Sequence, residues 1–154
     1  RLKVVLGDLG YKHDVVEAVL AEQSANPAAS ARAVKQLSAW VGREDWHEIL
    51  PGFARCVRIT RDQKEIFKVN EKAFVDGEEK DLFAAFQKAA KNQPSTVNEF
   101  LEIIVKLIPS ITAFFDKVLV MAEDKKVKEN RLGLLQKIAS LSNGIADLSK
   151  LEGF

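Results

Sequence analysis

A single cysteine, Cys56, in 154 residues excludes a disulfide framework and any zinc site built on paired cysteines. Histidine is almost as scarce. His13 and His47 lie outside any carboxylate or cysteine cluster with metal-ligand spacing, and each reads as a surface or capping residue. An excess of one charge is missing too: 23 Lys and Arg face 22 Asp and Glu, a net charge of +1. A nucleic-acid role would therefore need local clustering, because no overall field attracts a polyanion. No apolar run approaches the ~20 residues that a bilayer crossing needs, and no signal peptide is visible. No glycine-rich phosphate loop follows a strand, and no serine sits in a nucleophile elbow. Nothing in the chain looks like an active site.

What is present is an ordinary globular composition, 47% hydrophobic and 29% charged, in a length that suits one medium domain or two small ones. Strand-like alternation is rare, and helical spacing predicts an all-α fold. "RLKVVLGDLG" reads as a helix tail stopped by Gly10, and Asp14 can cap "VVEAVLAEQ". Pro27 suits the first turn of a helix that ends at Gly42. In "REDWHEILPGFARCVRITRDQKEIFKV" the apolar residues Trp46, Ile49, Leu50, Phe53, Val57 and Ile66 give an amphipathic helix, kinked or split at Pro51. Cys56 falls on its apolar side and reads as a core residue.

Residues 70–77 read as a loop leading into an acidic helix start. Asp76, Glu78, Glu79 and Asp81 there read as solvated carboxylates suited to the helix dipole. Thr96 and Glu99 have capping-box spacing, and the helix they open should yield at Pro109. Asp124 caps a long last helix running through "KKVKENRLGLLQKIASLSNGIADL". The loop near residue 70 is the expected boundary between a segment 1–69 and a segment 70–154.

Basic residues are unevenly placed. Arg55, Arg58, Arg61 and Lys64 recur every third residue, a slanted band around a helix that flanks its apolar stripe. Lys125, Lys126, Lys128 and Arg131 open the last helix, where cations oppose the helix dipole. Phosphate binding would compensate that local cost. Spacing alone favours the plainer alternative, solvated helix faces whose long side chains cover apolar surface. Arg131 stands apart because it lies at the edge of the stripe Val127, Leu134, Ile138, Leu141 and Ile145. A buried guanidinium has to be paired. The expected structural ion pair joins Arg131 to Asp116.

The stretch "AFFDKVLVMAEDKKVKENRLGLLQKIASLSNGIADLSKL" resembles the end of the β subunit of bacterial heterotetrameric glycyl-tRNA synthetases, and "YKHDVVEAVLA" and "FARCVRITR" are similar to earlier segments of the same family. The likeness runs along essentially the whole chain. Departures are "PSIT" before Ala113, Leu119 in a methionine position, and Lys128 where arginine is common. The resemblance implies a helical, DALR-like anticodon-binding domain of the class I arginyl type over 70–154, preceded by a helical body segment over 1–69. It implies a module that grips the anticodon arm of glycine tRNA, in a ligase whose ATP, magnesium and catalytic site lie outside this stretch, on the α subunit or α portion. Independently of the resemblance, the start at Arg1 in place of Met and the lack of a signal peptide give the expectation of a piece excised from a cytoplasmic protein.

With that resemblance, Arg55, Arg58, Arg61 and Lys64 become expected RNA contacts. Lys125 and Lys128 join them as candidates, with the solvated-face reading equally open. The alternative for the whole chain is a helical module that packs against other parts of the synthetase without touching RNA.

Overall fold

A computed structural model describes all residues, 1–154. It is all-helical: α1 (Leu2–Asp8), α2 (His13–Leu20), α3 (Pro27–Val41), α4 (Trp46–Thr60), α5 (Gly77–Ala89), α6 (Val97–Lys117) and α7 (Lys125–Ala139). Short 3-10 turns cover Glu71–Ala73, Ser140–Ser142 and Leu148–Lys150. No helix is long and apolar enough to cross a membrane.

Local chemistry sets most helix ends. Asn26 accepts from the Ala29 amide at 3.1 Å ahead of Pro27, and Asp124 accepts from the Val127 amide at 3.1 Å. Thr96 caps α6 by accepting from the Glu99 amide at 3.1 Å. The Glu99 carboxylate reaches back to the amide and hydroxyl of Ser95, one residue earlier than a standard capping box, and these bonds hold it below its ordinary pKa. Asp14 lies inside the first turn of α2 and does not cap it. Its carboxylate accepts from the Val15 amide and, across the molecule, from the Glu152 amide, both at 2.9 Å.

Both interior prolines remain inside continuous helices, against the expectation of a break. Each ring lies on the exposed side, where solvent can satisfy the carbonyl left without a donor. In α6 the buried stripe Phe100, Ile104, Leu107, Ile111 and Phe114 passes Pro109 without a change of phase. Packing along that stripe outweighs the local cost of proline, about 3 kcal/mol against alanine.

The other departures lie at helix ends. α4 stops at Thr60, so Ile66 is off the helix and 85% exposed. α7 stops at Ala139, where Ser140 and Ser142 turn their hydroxyls back onto the carbonyls of Lys137 and Ala139, and Gly144 takes φ +76°.

One hydrophobic core runs from Leu6 to Leu151. α4 is its centre, packed between α6 and α7, with the Phe53 and Phe100 rings edge to face at 5.2 Å. α4 and α6 cross at Gly52, where a Cβ would meet the Ile108 side chain at 2.4 Å. α3 is tied to α6 by a 2.9 Å bond from the Trp40 indole to Asn98. The segment after α7 returns to α2: Asp147 donates its amide to the Ala18 carbonyl at 2.7 Å, and Gln23 donates to the Ile145 carbonyl at 2.7 Å. Cys56 is fully buried, and burial pushes its thiol up to about 12.

Because the Pro109 ring faces solvent, Pro109→Ala is expected to restore a backbone bond without disturbing the core. It will raise stability by roughly 1–3 kcal/mol in thermal or urea unfolding. A loss of stability would mean that the ring itself packs.

Candidate nucleic-acid interface

The four basic residues expected on one helix divide between two elements. Arg55 and Arg58 project from α4, Arg61 caps its end, and Lys64 lies beyond it on a non-helical strap, residues 62–70, that begins with a turn and a bend. All four are exposed. Arg55 lies over the Phe115 ring at 4.2 Å, and Arg58 donates to the Phe154 carbonyl with that ring 5.7 Å away. Arg61 and Lys64 hold no ion pair.

The strap is fixed to α7 by side-chain amides. Gln136 accepts from the Phe67 amide at 2.9 Å and donates to the Glu65 carbonyl at 2.8 Å. Asn130 accepts from the Asn70 amide at 2.7 Å and donates to the Asn70 carbonyl at 2.9 Å. Midway between them, a Cβ on Gly133 would stand 2.8 Å from the Phe67 carbonyl oxygen, so glycine alone admits the strap at this distance. Positions 130, 133 and 136 share one ridge of the helix, since they are three residues apart. The two amides thus serve the strap as an edge strand would. Phe67 and Val69 face the core, while Lys64, Ile66 and Lys68 face solvent.

Lys125 and Lys126 are exposed in the first turn of α7, and Lys128 is half-buried. None holds an ion pair. From Lys125 to Gln136 is 11 residues of α7, or about 16 Å at 1.5 Å per residue. The two basic clusters therefore lie towards opposite ends of that helix and do not form one patch.

Arg131 is buried, 6% exposed, and its partners differ from the one expected. Its Nε donates to Glu79, its Nη2 to Asp76 at 3.1 Å, and its Nη1 to the Leu119 carbonyl. Asp116 takes no part; it sits near the end of α6 with an exposed side chain, while the guanidinium reaches the start of α5. Glu79 was expected to be solvated and is instead 1% exposed. Its second oxygen accepts from the Val75 amide at 2.7 Å and the Asp76 amide at 3.3 Å. One carboxylate thus caps α5 and neutralises the arginine.

The remaining titratable groups offer no catalytic set. His13 is exposed beside Glu17 at 3.4 Å, and the exposed His47 Nδ1 stands 2.6 Å from the Glu44 carbonyl. No three His, Cys, Asp or Glu side chains converge as a metal-ligand group. The residues that sequence reasoning missed are Asn130, Gly133 and Gln136. Their spacing of three is visible in the sequence, but α7 carries so many charged residues that nothing in the pattern sets them apart from a solvated face.

The model of the DALR anticodon binding domain matches residues 49–148, which takes in nearly all of α4 and the whole of α5 to α7. The chain is 38% identical to the glycine–tRNA ligase β subunit of Myxococcus xanthus over 99% of its own length and 23% of that protein's. It is 35% identical to the chloroplastic/mitochondrial glycine–tRNA ligase 2 of Arabidopsis thaliana over 100% of its length and 15% of that protein's. Against the β subunit of Geotalea daltonii the values are 36%, 92% and 21%. The chain thus spans less than a quarter of the length of these relatives.

Replacing Arg131 by leucine leaves Glu79 charged, buried and without its cation. Arg131→Leu is expected to cost about 3–5 kcal/mol of stability in urea unfolding, and to lower the melting temperature. Wild-type stability in this variant would contradict a structural role for the guanidinium.

Proposed function

The chain belongs to the DALR anticodon binding domain family, and from that premise we propose that it is the part of a glycine–tRNA ligase that grips the anticodon arm of glycine tRNA. The observation that carries this reading is the exposure of Arg61 and Lys64. Both lie inside the matched stretch, at the end of α4 and on the strap, and both are free of ion pairs. Arg55 and Arg58 extend the same positive edge along α4. Side chains of this kind neutralise phosphates and release counterions, which gives affinity that falls steeply with salt. Unpaired loop bases then supply selectivity.

Lys125 and Lys128, further along α7, suit a second backbone contact, where a phosphate would offset the cost of cations at a helix N-terminus. We take the RNA-binding unit to begin with α4 and not at residue 70, because α4 carries the positive edge and packs against both α6 and α7. The helices before it act as a body segment.

Glycylation itself belongs elsewhere in this reading. The ATP and magnesium of a tRNA ligase go with the catalytic site for that reaction. We place them on the α subunit or α portion, the expected protein partner, and the whole enzyme in the cytoplasm. One observation favours a protein contact for the first helix: Val4, Val5 and Leu9 are 65%, 49% and 69% exposed and lie outside the matched stretch. An apolar cluster there fits packing against another part of the ligase. The two readings apply to different ends of the chain.

Titration of the chain with glycine tRNA at several salt concentrations tests the proposal. Affinity should fall linearly on a log–log plot, and Arg61→Ala with Lys64→Ala should flatten the slope by about 1 for each phosphate that is no longer neutralised. Thermal unfolding should stay as in wild type. An unchanged slope would rule these two residues out as phosphate ligands.

A further inference from the structure

Four hydrogen bonds hold the strap against α7, and all of them run between carboxamides of the helix and main-chain atoms of the strap. Gln136 serves the Phe67 amide and the Glu65 carbonyl, and Asn130 serves the amide and the carbonyl of Asn70. We propose that Asn130, Gly133 and Gln136 are positioning residues: they form a seat that fixes the register of the strap and so holds Lys64 and Lys68 outward, without touching RNA themselves. The proposal rests on reading the chain as an RNA-binding domain.

Burial is the first support. Asn130 and Gln136 are 4% and 8% exposed, beside Leu132, Leu134 and Leu135 at 0%. A carboxamide so enclosed is costly unless its donor and its acceptor are both engaged. Here both ends of each side chain are engaged, and only on the strap. Gly133 is the second support. A Cβ there would stand 2.8 Å from the Phe67 carbonyl oxygen and 3.3 Å from its carbon, and a backbone atom cannot swing aside as a side chain can. Glycine is a poor residue for a helix interior, and the close approach of the strap accounts for it.

Register links the seat to function. Phe67 and Val69 pack on the core, whereas Lys64, Ile66 and Lys68 are exposed. A slip of one residue would turn the lysines inward. Apolar contact is non-directional and sets only the depth of the strap; the four bonds set its position along α7. They grip main chain alone, so they act whatever side chains the strap carries. Lys68 lies between the two points of attachment, Lys64 directly before the first, and neither has an ion pair. Cations held in this way lose less freedom when they meet a phosphate.

Gly133→Ala is the test, because it displaces the strap, removes no donor or acceptor, and favours α7 as a helix. The intact chain is titrated with the anticodon stem-loop of glycine tRNA at several salt concentrations, and amide hydrogen exchange is followed alongside. The Phe67 and Asn70 amides should exchange roughly three- to tenfold faster, the factor for one neutral hydrogen bond, while α7 keeps its protection. RNA affinity should fall by a similar factor, and its salt slope should flatten. With Lys64→Ala and Lys68→Ala already in place, adding Gly133→Ala should cost no further affinity. Gln136→Met, which removes two of the bonds at similar volume, should behave in the same way and serves if Gly133→Ala does not fold. The proposal is overturned if exchange rises while affinity and salt slope stay at wild type, or if the loss is undiminished without the lysines. Either result leaves the RNA-binding reading standing. Unchanged exchange in both variants would also overturn it, since the strap would then be held by other means. A wild-type chain that binds no RNA at any salt would remove the reading itself and the proposal with it.

Discussion

The guanidinium of Arg131 is the constraint around which the second half of the molecule is arranged. A buried cation is tolerated only when every direction of its planar fork finds a partner. Here the arginine stands on α7, and its partners come from the start of α5 and the segment after α6. Those three segments are far apart in sequence, so satisfying one charge fixes their mutual positions. Replacing the pair by apolar residues would leave the core just as oily, but it would remove the directional bonds that select this arrangement.

α7 extends the same logic along its length. Residues 130 to 136 are all buried, although Asn, Arg and Gln are among them. A helix enclosed on every side is usually apolar all round. This one uses polar side chains as tethers, two amides to the strap and one guanidinium to the α5 start, while Leu132, Leu134, Leu135 and Ile138 fill the core. The consequence for function is rigidity at the surface. Lys64, Ile66 and Lys68 stand on a strap bonded to the best-buried helix of the fold, and a contact residue so supported loses little conformational freedom on binding.

Helix periodicity, caps and the family resemblance made the helical architecture legible from sequence, because these are local or pattern-level signals. Thr96 and Asp124 act as caps where their spacing predicts. The prolines misled because their cost is local whereas the stripe through Leu107 and Ile111 is tertiary, and packing outweighed it. The end of α4 was missed because the apolar spacing extends to Ile66, which the strap turns out to solvent. Arg131 was legible as a buried, paired side chain but its partner was not. Asp116 is nearer in sequence, while Glu79 reaches the guanidinium only because α5 folds back onto α7. No one-dimensional pattern encodes that meeting. The strap's attachment was likewise hidden, since Gln136 and Asn130 look like surface residues until the backbone they serve is in place.

On the proposed reading, RNA is gripped along the edge that runs from α4 over the strap, with a second contact at the start of α7. The most direct measurement is a residue-by-residue map of amide chemical shifts as the anticodon stem-loop of glycine tRNA is added to the chain. Shifts should concentrate between residues 55 and 68, with a second set at 125–128, and α1 and α2 should stay silent. Shifts confined to α1, or an unchanged spectrum at low salt, would contradict it.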